Sequence, residues 1–186
     1  MSEPILLLPP DSDLACVATI AINDARDVGI ALLSKPLPPD LTQAMASAIA
    51  GMSPWKRYGF TPDALISYCA PADDKAPRYL VTRHNEILGL FALKLGWMFG
   101  SYLNILAVLP GCHGRGIGSA VLRWTEERAR ACGERNQFVT TSAFNTRALA
   151  LYQRHGYEPI ATMPGLISDA ESEILLRKCL VRSQQA

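Results

Sequence analysis

The chain has almost no net charge, no paired cysteines and no long apolar run. Its 18 Lys and Arg are set against 17 Asp and Glu, for a formal charge of +1. No broad field therefore draws it to nucleic acid or to an anionic membrane surface. The five cysteines lie far apart, at Cys16, Cys69, Cys112, Cys132 and Cys179. No CxxC pair exists, and His84, His113 and His155 do not cluster with them. A disulfide framework and a structural zinc site are both disfavoured, and no metal is expected. Scattered thiols suit a reducing cytoplasm. The apolar run at 5–8 has no basic flank and stops at Pro9 and Pro10. It is too short for a signal peptide or a membrane span. A cytoplasmic location with no membrane partner is the expectation.

What is present is ordinary in bulk and specific in detail. Hydrophobic residues make up 49% and charged residues 19%, a globular balance. The 186 residues suit one domain, 1–186, with 1–29 as an N-terminal extension. Residues 16–22 form an apolar run of strand type. Residues 30–33 read as a short strand that leaves into the proline-rich stretch 35–39. Asp40 is a candidate cap for a helix over 41–50, where Leu41, Met45, Ala48 and Ile49 share a face and Gly51 ends it. Thr61 and Pro62 read as cap and first helical position of a helix to about Cys69.

Three strands follow, at 78–83, 87–95 and 102–108, with a turn at 84–86 and Gly89 as a bulge. They read as an antiparallel meander. The pattern then changes. A loop at 110–116 opens a helix with Ile117, Val121, Trp124 and Ala131 as its apolar stripe, and Gly133 stops it. The strand at 137–142 is reached from 102–108 through that helix, so these two strands are parallel neighbours. A second helix runs from a cap at Asn145 to His155, and 173–178 is a last strand.

The loop carries the chemistry. Gly114, Gly116 and Gly118 alternate between a strand end and a helix start. Backbone amides at a helix start lack intrahelical partners, and the dipole there favours anions. Glycine lets a phosphate approach the backbone, and Arg115 adds a charged donor. The segment is a phosphate-binding turn on these grounds. It contains no GxxxxGK[ST] loop and does not meet the GxGxxG spacing of dinucleotide folds.

The stretch 108–119 resembles the acetyl-CoA signature of the GNAT superfamily of acyl-CoA-dependent N-acyltransferases. That signature is Gln or Arg, two residues, Gly, one residue, then Gly or Ala, after a strand ending in Val. Gly116 and Gly118 take the glycine positions; His113 stands where the family has Gln or Arg, a departure. Downstream, the run from Asn145 through Ala148, Leu151 and Tyr152 to Gly156 and Tyr157 is similar to the family's Asn…Ala…LeuTyr…GlyPhe segment. The resemblance implies an α/β fold of the α+β kind. It has a mixed, mostly antiparallel central sheet, helices on both faces and a splayed parallel strand pair.

It also implies acetyl-CoA as co-substrate and direct attack by a small-molecule or peptide amine, with no acyl-enzyme. The pantetheine arm would pair with backbone at Leu106, Ala107 and Val108. The pyrophosphate would rest on His113, Gly114, Arg115, Gly116, Ile117, Gly118 and Ser119, with Asn145 also at the cofactor. Tyr152 matches the family's general acid toward the departing thiolate. The base is not readable: the splayed strands offer Asn104, Thr140, Thr141 and Ser142, none of them a base. Glu86, Glu158 and Glu173 lie elsewhere in the chain. Without a base, kcat/KM is expected to climb from about pH 7 towards 9 as the amine loses its proton. Trp55, Tyr58 and Phe60 are candidates to line an acceptor pocket. Cys112 has no marked partner base and is not expected to be a nucleophile. The alternative is a non-catalytic acyl-CoA-binding or regulatory module. Homodimerisation is left open.

Overall fold

The computed structural model describes residues 5–9, 12, 14–22 and 25–181. Strands β1 (Cys16–Ile22) and β2 (Ala25–Leu32) come first, then helices α1 (Pro39–Ala50) and α2 (Pro62–Ile66). Strands β3 (Arg78–Arg83), β4 (Glu86–Trp97) and β5 (Gly100–Val108) form the meander. Helix α3 (Ile117–Ala131), strand β6 (Asn136–Ser142), helix α4 (Thr146–Arg154) and strands β7 (Glu158–Pro164) and β8 (Ser172–Cys179) complete the order. One 8-stranded sheet takes all the strands, in the order β1-β2-β3-β4-β5-β6-β8-β7. Every neighbouring pair is antiparallel except β5–β6. The mixed, mostly antiparallel sheet with one parallel pair is therefore as expected.

The sheet buries a core on each face. On one, Ile117, Val121 and Leu122 of α3 and Tyr152 of α4 pack on Val28, Ile30, Val81, Phe91 and Val139. Trp124 sets its ring at 5.2 Å from Tyr79 and 5.7 Å from Phe91, edge-on to both. On the other, Met45 and Ile49 of α1 and Leu65 of α2 pack on Leu80, Leu90 and Ile105. Helices on both faces leave the sheet interior dry, which is why the meander strands are apolar nearly throughout. Among the described residues no helix is long and apolar enough to cross a membrane.

Several local features differ from expectation. Helix α1 starts at Pro39, with Pro38 as a cap that makes no side-chain bond; Asp40 lies in the first turn, where its charge favours the dipole without capping. Thr61 does cap α2: its Oγ1 accepts from the Ala64 amide at 3.3 Å. Strand β2 starts earlier than 30, because Gly29 pairs in register with Thr82 instead of breaking the strand. Residues 16–22, an apolar run of strand type, do form a strand, β1, paired with β2. Strand β7 is new. It carries Pro159 and Pro164 and is the edge of the sheet, where proline is tolerated.

Candidate active site

Strands β5 and β6 separate after a short contact. Their register runs from Gly100↔Asn136 to Leu103↔Val139 and stops there. Beyond it β5 continues to Val108 on β4, and β6 continues to Ser142 on β8. The wedge between them exposes backbone on the free side of β5, from Asn104 onward. Such groups need partners, and an extended ligand arm supplies them in the manner of an added strand.

The wedge opens onto the start of α3. Gly116 caps that helix with φ +82°, a left-handed conformation that a side chain would strain. Among the described residues no side chain caps the helix, and its first bond runs from the Ala120 amide to the Gly116 carbonyl at 3.0 Å. The amides of 117–119 are therefore the open end of the helix. Gly118 has a second task. A Cβ there would lie 3.1 Å from Leu151 Cδ2, so this glycine also lets α4 approach α3.

A cavity of about 620 Å³ runs along this end of the wedge. Of the residues assigned to the cofactor, Leu106, Val108, His113, Gly114, Gly116, Ile117, Gly118, Ser119 and Asn145 line it. Two do not. Ala107 is buried in the opposite core, because its side chain alternates away from Leu106 and Val108 along the strand. Arg115 lines a different cavity beside Ile5, Ala44 and Glu86. Arg147 and Arg154 line the cofactor-side cavity instead. They are seven residues apart on α4 and so share its face, a spacing that would have marked them beforehand. The Asn145 side chain is engaged locally, accepting from the Ala148 amide at 3.2 Å.

A second cavity, of about 260 Å³, lies further along the wedge. The two share Pro54, Trp55, Leu106, Asn145, Ala148 and Tyr152. Tyr152 thus borders both, and is 7% exposed. Burial, reinforced by the neighbouring Tyr102, pushes its phenol well above the ordinary value of 10.0. It stays a proton donor at any working pH.

Asn104, Thr140, Thr141 and Ser142 line the second cavity, as do Trp55, Tyr58 and Phe60. So does Glu173. It sits on β8 opposite Ser142 of β6 and is 3% exposed. The Tyr58 phenol donates a short hydrogen bond to Glu173 Oε1. Burial first, and that bond second, raise the Tyr58 phenol to about 12. Arg57, next along the loop, donates from Nε and Nη2 to Glu171 Oε1 at 2.9 and 2.5 Å. The loop is thereby clamped to the approach to β8. Glu86 lines the cavity with Arg115, and Glu158 is an exposed residue of β7; neither lines the wedge. Cys112 is buried by the glycine loop, away from the acceptor-side cavity. Among the described residues no group of three or more His, Cys, Asp or Glu is placed to hold a metal ion.

Comparison with known proteins agrees with this arrangement. The chain is 31% identical over 86 residues to the aminoalkylphosphonate N-acetyltransferase of Salmonella typhimurium, a match covering 42% of this chain and 54% of that protein. The chain therefore spans about half the length of this relative. In fold it is similar to a GNAT family acetyltransferase from Elizabethkingia anophelis with acetyl-CoA bound, with TM-score 0.62, 19% identity and 83% and 99% of the two chains covered. It is similar also to the ribosomal-protein-S18-alanine N-acetyltransferase of Escherichia coli, with TM-score 0.63, 15% identity and 85% and 97% covered. The model of the acetyltransferase (GNAT) family matches residues 43–157, from α1 through the glycine loop to the end of the second motif. That match covers more than half of the chain, and the chain belongs to the acetyltransferase (GNAT) family.

Proposed function

We propose that this chain is an acetyl-CoA-dependent N-acetyltransferase in which Tyr152 is the general acid and Glu173 the general base. The observation that carries it is the joining of two cavities at Tyr152, one ending at the open end of α3 and the other at a buried carboxylate. The larger cavity fits acetyl-CoA: it has unpaired amides at 117–119 for phosphate, two arginines on its wall and free strand backbone along the wedge. When bound, acetyl-CoA supplies an acyl group activated as a thioester.

The residues of this chain do the rest. The wedge holds the acyl carbon at the junction of the cavities and brings the amine to it, which is the largest contribution positioning makes. Glu173 takes a proton from the bound ammonium, which frees the nitrogen lone pair to attack the acyl carbon, and a second proton leaves the nitrogen for solvent once the C–N bond has formed. Tyr152 gives a proton to the sulfur as the C–S bond breaks. Tyr58 is a positioning residue: its phenol holds the Glu173 carboxylate in place. The acceptor is a primary amine. His113, Gly114, Gly116, Ile117, Gly118 and Ser119 serve the pyrophosphate, and Arg147 and Arg154 take the part the sequence suggested for Arg115. The non-catalytic alternative rested on a missing base, and Glu173 removes that reason. We take the strands and helices to act as one unit, since a single sheet runs through them, and the scattered thiols favour the cytoplasm.

Thiol release from acetyl-CoA over a panel of amines tests the reading. Amine-dependent release is expected. Acetyl-CoA binding without release on any amine would return the chain to the binding-module alternative.

A further inference from the structure

The acceptor-side cavity has a chemistry of its own. Six of its lining residues carry aromatic rings: Trp55, Tyr58, Phe60, Tyr68, Tyr102 and Tyr152. Among the described residues its one charged lining residue is Glu173, and no lysine, arginine or histidine lines it. Two arginines come near its aromatic wall, and both are engaged elsewhere. Arg57 bonds Glu171 and stands 4.1 Å from the Phe144 ring centroid. Arg78 lies over Tyr68 at 5.4 Å and donates from Nη1 to the Ala70 carbonyl at 2.8 Å.

A carboxylate this buried calls for a counter-charge. An ammonium group meets that need, and aromatic faces attract it further. A second anion beside Glu173 would be buried against a like charge with no cation to offset it. Size narrows the choice again. An apolar cavity of about 150 Å³ admits benzene, so about 260 Å³ takes one ring and a short aminoalkyl chain.

We propose, resting on the acetyltransferase reading above, that the acceptor is a small arylalkyl monoamine: a primary ammonium on a short chain that ends in an uncharged aromatic ring. Amines that also carry a carboxylate or phosphonate are excluded. This separates the chain from the relative named for aminoalkylphosphonates, whose acceptor is an anion at its far end. The ammonium meets Glu173, the ring lies among the aromatic side chains, and the nitrogen faces the junction at Tyr152.

The test uses the full chain with acetyl-CoA and four acceptors: 2-phenylethylamine, phenylalanine, 2-aminoethylphosphonate and a peptide with a free N-terminal alanine. Phenylalanine differs from 2-phenylethylamine by one carboxylate. The expected result is a kcat/KM for 2-phenylethylamine at least about 100-fold above each of the others, the scale on which a buried unpaired charge discriminates. Leu166→Arg places a cation at the rim of the cavity, where Leu166 is 57% exposed. It should raise the ratio of 2-aminoethylphosphonate to 2-phenylethylamine turnover by about tenfold. Binding is read separately, by quenching of tryptophan fluorescence when 2-phenylethylamine is added to protein saturated with coenzyme A, since Trp55 lines the cavity. A peptide or anionic amine used as well as 2-phenylethylamine overturns the proposal and leaves the transferase reading standing. So does acetyl-CoA binding without any 2-phenylethylamine binding. An acetyl-CoA that fails to bind overturns the transferase reading itself.

Discussion

At Tyr152 one phenol borders both cavities, and the proposed acid role depends on its protonation. Burial holds it above its ordinary value, so the proton is present throughout the working range. Tyr152→Phe keeps the ring and removes the donor. Turnover should fall by about 100-fold or more, with acetyl-CoA affinity near normal in calorimetry. Glu173 leads to a different measurement. With a carboxylate to take the proton, kcat/KM for an amine of pKa near 10 should stay level between about pH 7 and 9, and the raised Tyr152 phenol adds no falling limb there. Glu173→Gln removes the base. Its kcat/KM should then rise about tenfold per pH unit over that range and start about 100-fold below wild type. A wild-type profile with that slope would mean that Glu173 is not the base and that the amine loses its proton in solvent. For the glycine loop, substitution at Gly116 strains the backbone and substitution at Gly118 crowds Leu151. Ser119→Glu is the cleaner probe. A carboxylate in the first turn suits the helix dipole yet repels a phosphate. Acetyl-CoA affinity should drop by at least about tenfold in a protein of unchanged stability.

At the scale of elements, the sheet is tied to α3 across its far end by charge. Lys178 Nζ of β8 donates to Glu126 Oε2 of α3 at 2.6 Å, and Arg130 approaches the same oxygen at 3.4 Å. Glu126 is 4% exposed. Lys178→Met leaves that carboxylate short of its main partner. The loss should be about 2 kcal/mol in urea unfolding, less than for a fully dry pair because Lys178 is partly exposed and Arg130 remains. Adding Glu126→Gln should recover part of it, since the charge then no longer needs a partner. The same strand carries Glu173 at its other end. β8 thus links the packing of α3 to the placement of Glu173, and a variant that loosens the pair is expected to lower turnover as well as stability.

At the scale of the whole molecule, the wedge is open by construction: two parallel neighbours stop pairing partway along the sheet. A ligand that fills it binds the native chain alone, and so stabilises it by mass action. Acetyl-CoA at about 100 times its Kd should add about 2.7 kcal/mol, or roughly 5–10 °C in Tm for a chain of this length. Ser119→Glu should reduce that shift at the same concentration. NAD in place of acetyl-CoA should give none, because the glycine spacing does not suit a dinucleotide.

Much of this molecule was legible in its order of residues. The meander, the parallel crossover, the glycine loop, the Asn145 cap and Tyr152 all depend on contacts within a few residues or on local periodicity. Turns, caps and amphipathic faces are written at that range. The proline-bearing edge strand β7 was not legible, because only its place at the sheet margin makes its prolines harmless. The shared face of Arg147 and Arg154 was legible in their seven-residue spacing; that this face turns to the cavity at the glycine loop, and Arg115 to another, depends on how the loop and α4 pack. The buried carboxylate beside the wedge shows the limit most clearly. Glu173 is an unremarkable residue of the last strand in sequence, 115 positions from the tyrosine that bonds it. By itself the sequence determined the family, the glycine turn and the helix that carries Tyr152. The tertiary structure alone decided the burial of Glu173 beside the wedge and the aromatic lining of the second cavity. Both arise where β8 inserts beside β6 and the loop at 54–60 folds over the wedge, and burial among distant chain segments is not encoded in any local pattern.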